Sequence, residues 1–298
     1  MVEINPEKII IGTVKFGIPN YGLVTNYSNK NISNFLMQSH QLGIKHLDTA
    51  QRYGEAENII GSITKDNNIE FKISTKIDNL KQNNKESTRV LKQSVLSSIN
   101  KLKIEKIHIC YLHQNDINII TDEYIQEVLL ELKRKKAIEY IGASVYTKEE
   151  CHAAIESNVY DYIQIPFNII DTSIYNTFVL NYKGPIKFIA RSIYLQGLLG
   201  DAPQVQRINN YKNEIIEYLN EILKFRDEIG ISLSDLSRSF VFNFDNIDSY
   251  IIGTTDVNHL KTNLLKFDFV NHLDIFNKIN IISKIEKPWS NPRNWFNN

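Results

Sequence analysis

At 298 residues, with 34 basic side chains against 34 acidic ones, the chain carries no formal net charge, and a polyanionic partner such as a nucleic acid is not expected. Hydrophobic residues make up 42% of it and charged residues 23%, the balance of an ordinary soluble globule able to bury a sizeable core. Two cysteines, Cys110 and Cys151, give neither a disulfide framework nor a zinc-type spacing, no apolar run approaches the roughly 18 residues of a membrane span, and MVEINPEKII does not read as a signal peptide. A cytoplasmic protein without metal, membrane or nucleic-acid partner is the expectation.

Along the chain, short β-rich runs alternate with longer amphipathic ones. IIIGTVKFG (9–17), KHLDTA (45–50), FKISTK (71–76), KIHICYLH (106–113), IEYIGAS (138–144), YDYIQIP (160–166), IKFIARS (186–192) and DSYIIGT (248–254) are each rich in β-branched or aromatic residues. Helical spacing marks the segments between them: NISNFLMQSHQLG (31–43) ends on a capping glycine, and TDEYIQEVLLELKRKK opens on a threonine positioned to cap and closes on bases. Eight strand-then-helix units predict a (β/α)₈ barrel as one domain over 1–298, with a doubly wound open sheet as the alternative. The long stretch 193–233, which contains NEIIEYLNEILKFRDEIG, reads as an enlarged strand-to-helix connection. The segment 270–298, with both tryptophans, Trp289 and Trp295, is a substrate loop over the mouth or a tail on the barrel's outside.

In such a barrel the chemistry gathers at the carboxyl ends of the strands. The second run ends in Asp48 with Tyr53 in its loop, the third in Lys76 and the fourth in His113. Singly these are a turn-former, a solvated lysine and a network histidine. Together they suit protonation of a carbonyl oxygen. A free tyrosine, with a pKa near 10, is a poor acid at neutral pH, an adjacent ammonium lowers that value, and a carboxylate keeps the ammonium charged. Lys76 is expected to supply the ammonium, Asp48 the carboxylate, and His113 a hydrogen bond to the substrate oxygen. Hydride must come from a cofactor. No GxGxxG follows any strand, whereas IIGTTDVNHLKTNL joins small and hydroxyl residues to a helix start able to receive phosphate.

The stretch LDTAQRYGEAENIIG resembles the LDTA..YG..E signature of the aldo/keto reductase superfamily, and ISTKI, ICYLHQND, IEYIGAS, YIQIPFN and SIYLQGLL resemble its later segments in order. The resemblance implies an NAD(P)H-dependent reductase of aldehydes or ketones, sugars or sugar derivatives among them, with Tyr53 as proton donor beside Asp48, Lys76 and His113. It implies that Gly12, Thr13 and Val14 line the cofactor, that Ser144 and Gln164 hold its carboxamide beside Asp48, and that Ser192 lies near the pyrophosphate. Gly253, Thr254, Thr255, His259 and Asn263 would surround the adenosine 2′-phosphate, making NADP(H) the preferred nucleotide with NAD(H) also admitted. Glu57 and Gly61 are expected to support the helix after Tyr53. The chain departs from the usual pattern at Val145, where asparagine is common; at Arg191, where an aromatic ring often stacks on nicotinamide and a guanidinium would stack instead; and at Gly253 and His259, where cations or glutamine are common.

Two other readings fit the same rim. One is a cofactor-binding, redox-sensing regulatory subunit, disfavoured by the absence of a binding extension; the other is a barrel enzyme of different chemistry, such as an isomerase. The expected partner is a small carbonyl compound, and the sequence says nothing of oligomeric state.

Overall fold

The computed structural model describes residues 1–23, 32–114 and 116–296, so Asn31, at the start of the first expected helix, lies outside the described residues. Eight strands close into a barrel in sequence order: β1 (Ile9–Gly12), β2 (His46–Asp48), β3 (Lys72–Ile77), β4 (Ile107–Leu112), β5 (Ile138–Ser144), β6 (Tyr162–Pro166), β7 (Lys187–Arg191) and β8 (Ser249–Ile252). Every neighbouring pair is parallel, including the closing pair β1 and β8, and the open-sheet alternative is excluded.

Strand parity sorts the core into two compartments, as expected of parallel strands buried on both faces. Ile9, Ile11, Leu47, Ile73, Ile77, Cys110, Leu112, Ile141, Ala143, Ile163 and Ile165 join the large cluster under the helices. Ile10, Ile109, Tyr111 and Ile189 form a separate cluster, with Tyr140, Tyr162 and Ile251 packed on it. The Tyr111 ring fills the space opposite Gly142, where an added Cβ would fall 2.3 Å from a ring carbon. Beyond it, at the carboxyl end, the barrel interior turns polar.

All eight expected strands exist, most with trimmed ends, the third reaching one residue further to Ile77. The largest trim is in the first: TVKF reads as strand by its β-branched residues, but β1 stops at Gly12 and Val14–Gly17 make one helical turn. Thr13 is drawn aside because its amide and its hydroxyl both donate to the Asp48 carbonyl, each at 3.0 Å. The outer helices are α1 (Ile32–Gln41), α2 (Ala56–Asp66), α3 (Lys85–Leu102), α4 (Glu123–Arg134), α5 (Lys148–Glu156), α6 (Lys212–Ile229), α7 (Leu233–Phe242), α8 (Val257–Thr262) and α9 (Leu273–Ser283). Asp122, not Thr121, caps α4, its carboxylate accepting from the Ile125 amide at 3.0 Å. Gly230 ends α6 in the left-handed conformation, as a C-terminal cap requires. The stretch 193–233 is a connection of the barrel, as expected. A two-stranded antiparallel pair, Val2–Glu3 with Leu265–Lys266, was not anticipated. None of the described helices is long and apolar enough to cross a membrane.

Glu57 and Gly61 do hold α2 in place. Glu57 is buried and accepts a 2.7 Å hydrogen bond from the Thr75 hydroxyl, and at Gly61 a Cβ would fall 2.1 Å from the Lys101 carbonyl of α3.

Candidate active site

The ends of β2, β3 and β6 are joined by one buried polar network. The Lys76 ammonium forms an ion pair with Asp48 Oδ1 and donates to the Thr49 carbonyl at 3.0 Å. Gln164 Nε2 donates to Asp48 Oδ2 at 2.6 Å. Lys76, Asp48 and Gln164 are each at most 4% exposed, so this pair is shielded from solvent and the carboxylate is fully oriented. Burial lowers the pKa of Lys76, and Asp48 works against that shift by favouring the charged ammonium.

Tyr53 stands over this network. Lys76 Nζ lies 5.2 Å from its ring centroid, and the His113 ring meets it edge to face with centroids 5.9 Å apart. Two glycines put the loop there: at Gly17 a Cβ would fall 1.7 Å from the Tyr53 carbonyl, and Gly54 has φ +54° with its missing Cβ 2.7 Å from the Gly17 carbonyl. Burial pushes the Tyr53 phenol above its ordinary value, Asp48 and Tyr146 push it further, and Arg191 and Arg52 oppose them. Burial outweighs the lowering expected from Lys76, whose ammonium lies over the ring with its charge matched by Asp48. Burial drives His113 down to about 2, reinforced by Lys76, Arg52, Arg191 and Arg293, so the imidazole is neutral. Its Nδ1 is buried without a hydrogen-bond partner.

The remaining expected residues divide. Gly12 ends β1 inside the barrel, with Val14 just beyond, but the Thr13 hydroxyl is already committed to Asp48. Ser144 ends β5 beside Gln164 in register, and Gln164 Oε1 is a buried acceptor without a partner, suited to the N–H of an amide ligand. Arg191 ends β7, donates to the Val145 carbonyl at 2.6 Å and to Ser192 Oγ at 3.3 Å, and lays its guanidinium 3.8 Å from the centroid of the Tyr146 ring. Its stacking partner in the protein is therefore Tyr146. Ser192 has φ +60° and begins a tight connection in which Leu195 and Gln196 also have positive φ. Thr254, Thr255 and exposed His259 flank the start of α8, and Gly253 faces open space. Two of the amides at the start of α8 are already engaged: Asp256 caps the helix, accepting from Asn258 N at 2.7 Å and His259 N at 3.2 Å. Asn263 is also engaged, accepting from the Tyr194 hydroxyl at 2.6 Å and donating to the His259 carbonyl at 2.6 Å.

Residues 8–284 match the sequence profile of the aldo/keto reductase family. The chain belongs to that family. Among solved structures it resembles an aldo-keto reductase from Bacillus halodurans in its holo form, at 21% identity, TM-score 0.71 and 91% coverage of each chain. It also resembles a glycerol dehydrogenase from Gluconobacter oxydans, at 16% identity, TM-score 0.70 and 94% coverage of each chain. At these identities the likeness is one of fold. No curated protein sequence matches. As an aldo/keto reductase the protein is an oxidoreductase of the carbonyl-reducing kind, from a family that works with a nicotinamide cofactor.

Several residues of this reductase's rim escape a sequence reading. Tyr111 carries the barrel's apolar plug, and its two-residue spacing from His113 was the available signal. Asp256 sits where a helix N-cap belongs and was legible in TTDVN. Tyr146 and Arg293, which lie 3.9 Å apart from ring centroid to guanidinium carbon, carry no local signal. An open cleft of about 480 Å³, lined by Lys8, Phe188 and Asp248, lies at the opposite end of the barrel and contains none of these groups.

Proposed function

We propose that the protein reduces an aldehyde or ketone to the alcohol, with Tyr53 giving the proton. The observation that carries this reading is the phenol itself: protonated, half-buried, and set between the neutral imidazole of His113 and the Lys76–Asp48 pair. Nicotinamide, when bound, supplies the hydride. As the carbonyl carbon is reduced, its oxygen gains negative charge and becomes a stronger base than the phenol, which then releases its proton to it. His113, neutral across the working pH range, holds the oxygen with its ring N–H, and the Lys76 ammonium stabilises the phenolate left behind. Asp48 and Gln164 fix the lysine, and exclusion of water strengthens each of these interactions.

Gln164 Oε1 and Ser144 are the groups that would hold the carboxamide, and Gly12 with Val14 would border the ring. In this reading the adenosine end runs along Gly253–Asn263, with NADPH preferred and His259 as the side chain that meets its 2′-phosphate. Asp256 opposes that preference, because a second anion near the α8 amides meets its carboxylate. The hydrophilic connection after β7 supports a polar substrate such as a sugar derivative.

The test is turnover of a panel of aldoses, nitrobenzaldehydes and quinones with NADPH and with NADH, followed by nicotinamide absorbance. Oxidation of the nucleotide tied to a carbonyl is the expected result. If neither nucleotide binds, as judged by tryptophan quenching and thermal stabilisation, the reading is wrong.

A further inference from the structure

Tyr146, in the loop after β5, is clasped by two guanidinium groups. Arg191 lies 3.8 Å and Arg293 3.9 Å from its ring centroid, too close to share one face, so the phenol is sandwiched between a residue of β7 and a residue of the C-terminal tail. Both cations act on the reacting groups: each helps hold the His113 imidazole neutral, and Arg191 draws the Tyr53 phenol down against its burial.

The tail that carries Arg293 is built in. Trp295 is fully buried, its Nε1 donates to the Trp289 carbonyl at 2.7 Å, and its own carbonyl accepts from the amides of Asn209 and Asn210, each at 3.0 Å. Asn291 accepts from the Arg293 amide at 3.1 Å, and Asn294 Nδ2 donates to the Pro288 carbonyl at 2.7 Å. These bonds fix the Arg293 backbone at the barrel mouth, which limits the entropy lost when its side chain meets a ligand.

One cation at the rim has no counter-charge among the described residues. Lys76 is matched by Asp48, and Arg52 by Asp78 at 2.7 Å. Among the described residues Arg191 makes no ion pair, and its Nε is buried without a hydrogen-bond partner. A cation held half-buried without a counter-charge is costly, and a ligand anion offsets that cost.

We propose that the mouth recognises a negative charge on its carbonyl substrate, a carboxylate or a phosphate monoester, through Arg293 and Arg191 braced on either side of Tyr146. The proposal rests on the reductase reading for its carbonyl, but the anion site is a property of the rim alone. Guanidinium groups suit both anions because they offer paired N–H donors in the plane of two oxygens.

Two measurements test it. Calorimetry on the nucleotide-bound protein compares benzoate with benzamide and glycerol 3-phosphate with glycerol. Binding of an anion but not of its neutral partner is expected, weakening as salt is raised, and the better anion identifies carboxylate or phosphate as the source. Arg293→Gln should weaken the anion about tenfold or more and Arg293→Lys less, because a charge-assisted hydrogen bond is lost in the first and a charge is kept in the second. In turnover, the kcat/KM ratio of 4-carboxybenzaldehyde to its methyl ester, and of glyceraldehyde 3-phosphate to glyceraldehyde, should fall by the same factor in Arg293→Gln. Equal binding of charged and neutral ligands, no anion binding, or an Arg293→Gln effect confined to nucleotide affinity would overturn the proposal. Arginine-dependent anion binding without any aldehyde reduction would uphold the anion site and defeat the reductase reading.

Discussion

Gly17 and Tyr53 meet backbone to backbone: a Cβ on Gly17 would fall 1.7 Å from the Tyr53 carbonyl oxygen and 2.8 Å from the Ala56 amide nitrogen. Neither neighbour is a flexible side chain that can swing away. Gly17→Ala should therefore push the whole Tyr53 loop outward, costing roughly 1–3 kcal/mol in urea denaturation. Turnover should fall on the order of 10²-fold, since small misplacements of a reacting group cost that much. Gly253→Ala, with nothing within 4 Å of its Cβ, should fold as well as the parent. Equal stability of the two variants would show that the contact is looser than described.

The Asp48–Lys76 pair should be worth most when half of it is missing. Lys76→Met leaves the Asp48 carboxylate buried with the Gln164 Nε2 donor but without its cation, a loss of about 3–5 kcal/mol. Asp48→Asn/Lys76→Met should be less destabilised than the sum of its single variants, and a double-mutant cycle from denaturation curves gives the coupling. Additive single effects would mean that the pair is not coupled.

Stability should fall in acid because of histidines. His113 is driven to about 2 from an ordinary 6.5, and His46 and His108 are lowered too, all chiefly by burial. Below pH 6.5 the unfolded chain binds protons that the folded chain does not, so stability is complete above that pH and declines as pH drops toward 2. Each such histidine contributes a slope of up to about 1.4 kcal/mol per pH unit. His113→Asn should flatten the dependence of denaturation free energy on pH between 6.5 and 4. An unchanged slope would mean that the imidazole protonates in the folded state.

The barrel was legible because its strands are short β-branched runs at regular intervals, and the four rim residues because each ends a strand or follows one closely. IEYIGAS matches its strand residue for residue. What the sequence reading missed depends on tertiary contact. Thr13 and Val14 look like strand, yet two hydrogen bonds to Asp48 turn the chain there. The influence of Lys76 on Tyr53 depends on which part of the ring it faces, which spacing cannot report. Arg293 and Tyr146 belong to segments far apart in the chain, joined only because Trp295 is buried against the 209–210 connection.

Nucleotide choice should turn on Asp256. Its carboxylate occupies the amides at the start of α8 and repels a neighbouring phosphate. Asp256→Asn keeps the cap and removes the charge, so NADPH should tighten while NADH stays nearly unchanged. Gly253→Lys, entering open space, should act in the same direction. Fluorescence titration with both nucleotides reads the ratio; equal shifts for NADPH and NADH would place the 2′-phosphate elsewhere.

The proton donor is the centre of the account, and Tyr53→Phe tests it most directly. Nucleotide Kd and kcat with 4-nitrobenzaldehyde should be measured side by side on the variant and the parent. The account predicts nucleotide affinity within about twofold and kcat lower by about 10²–10⁴-fold. Turnover retained within a few-fold, or nucleotide binding lost in parallel with it, would contradict the assignment of Tyr53 as the acid.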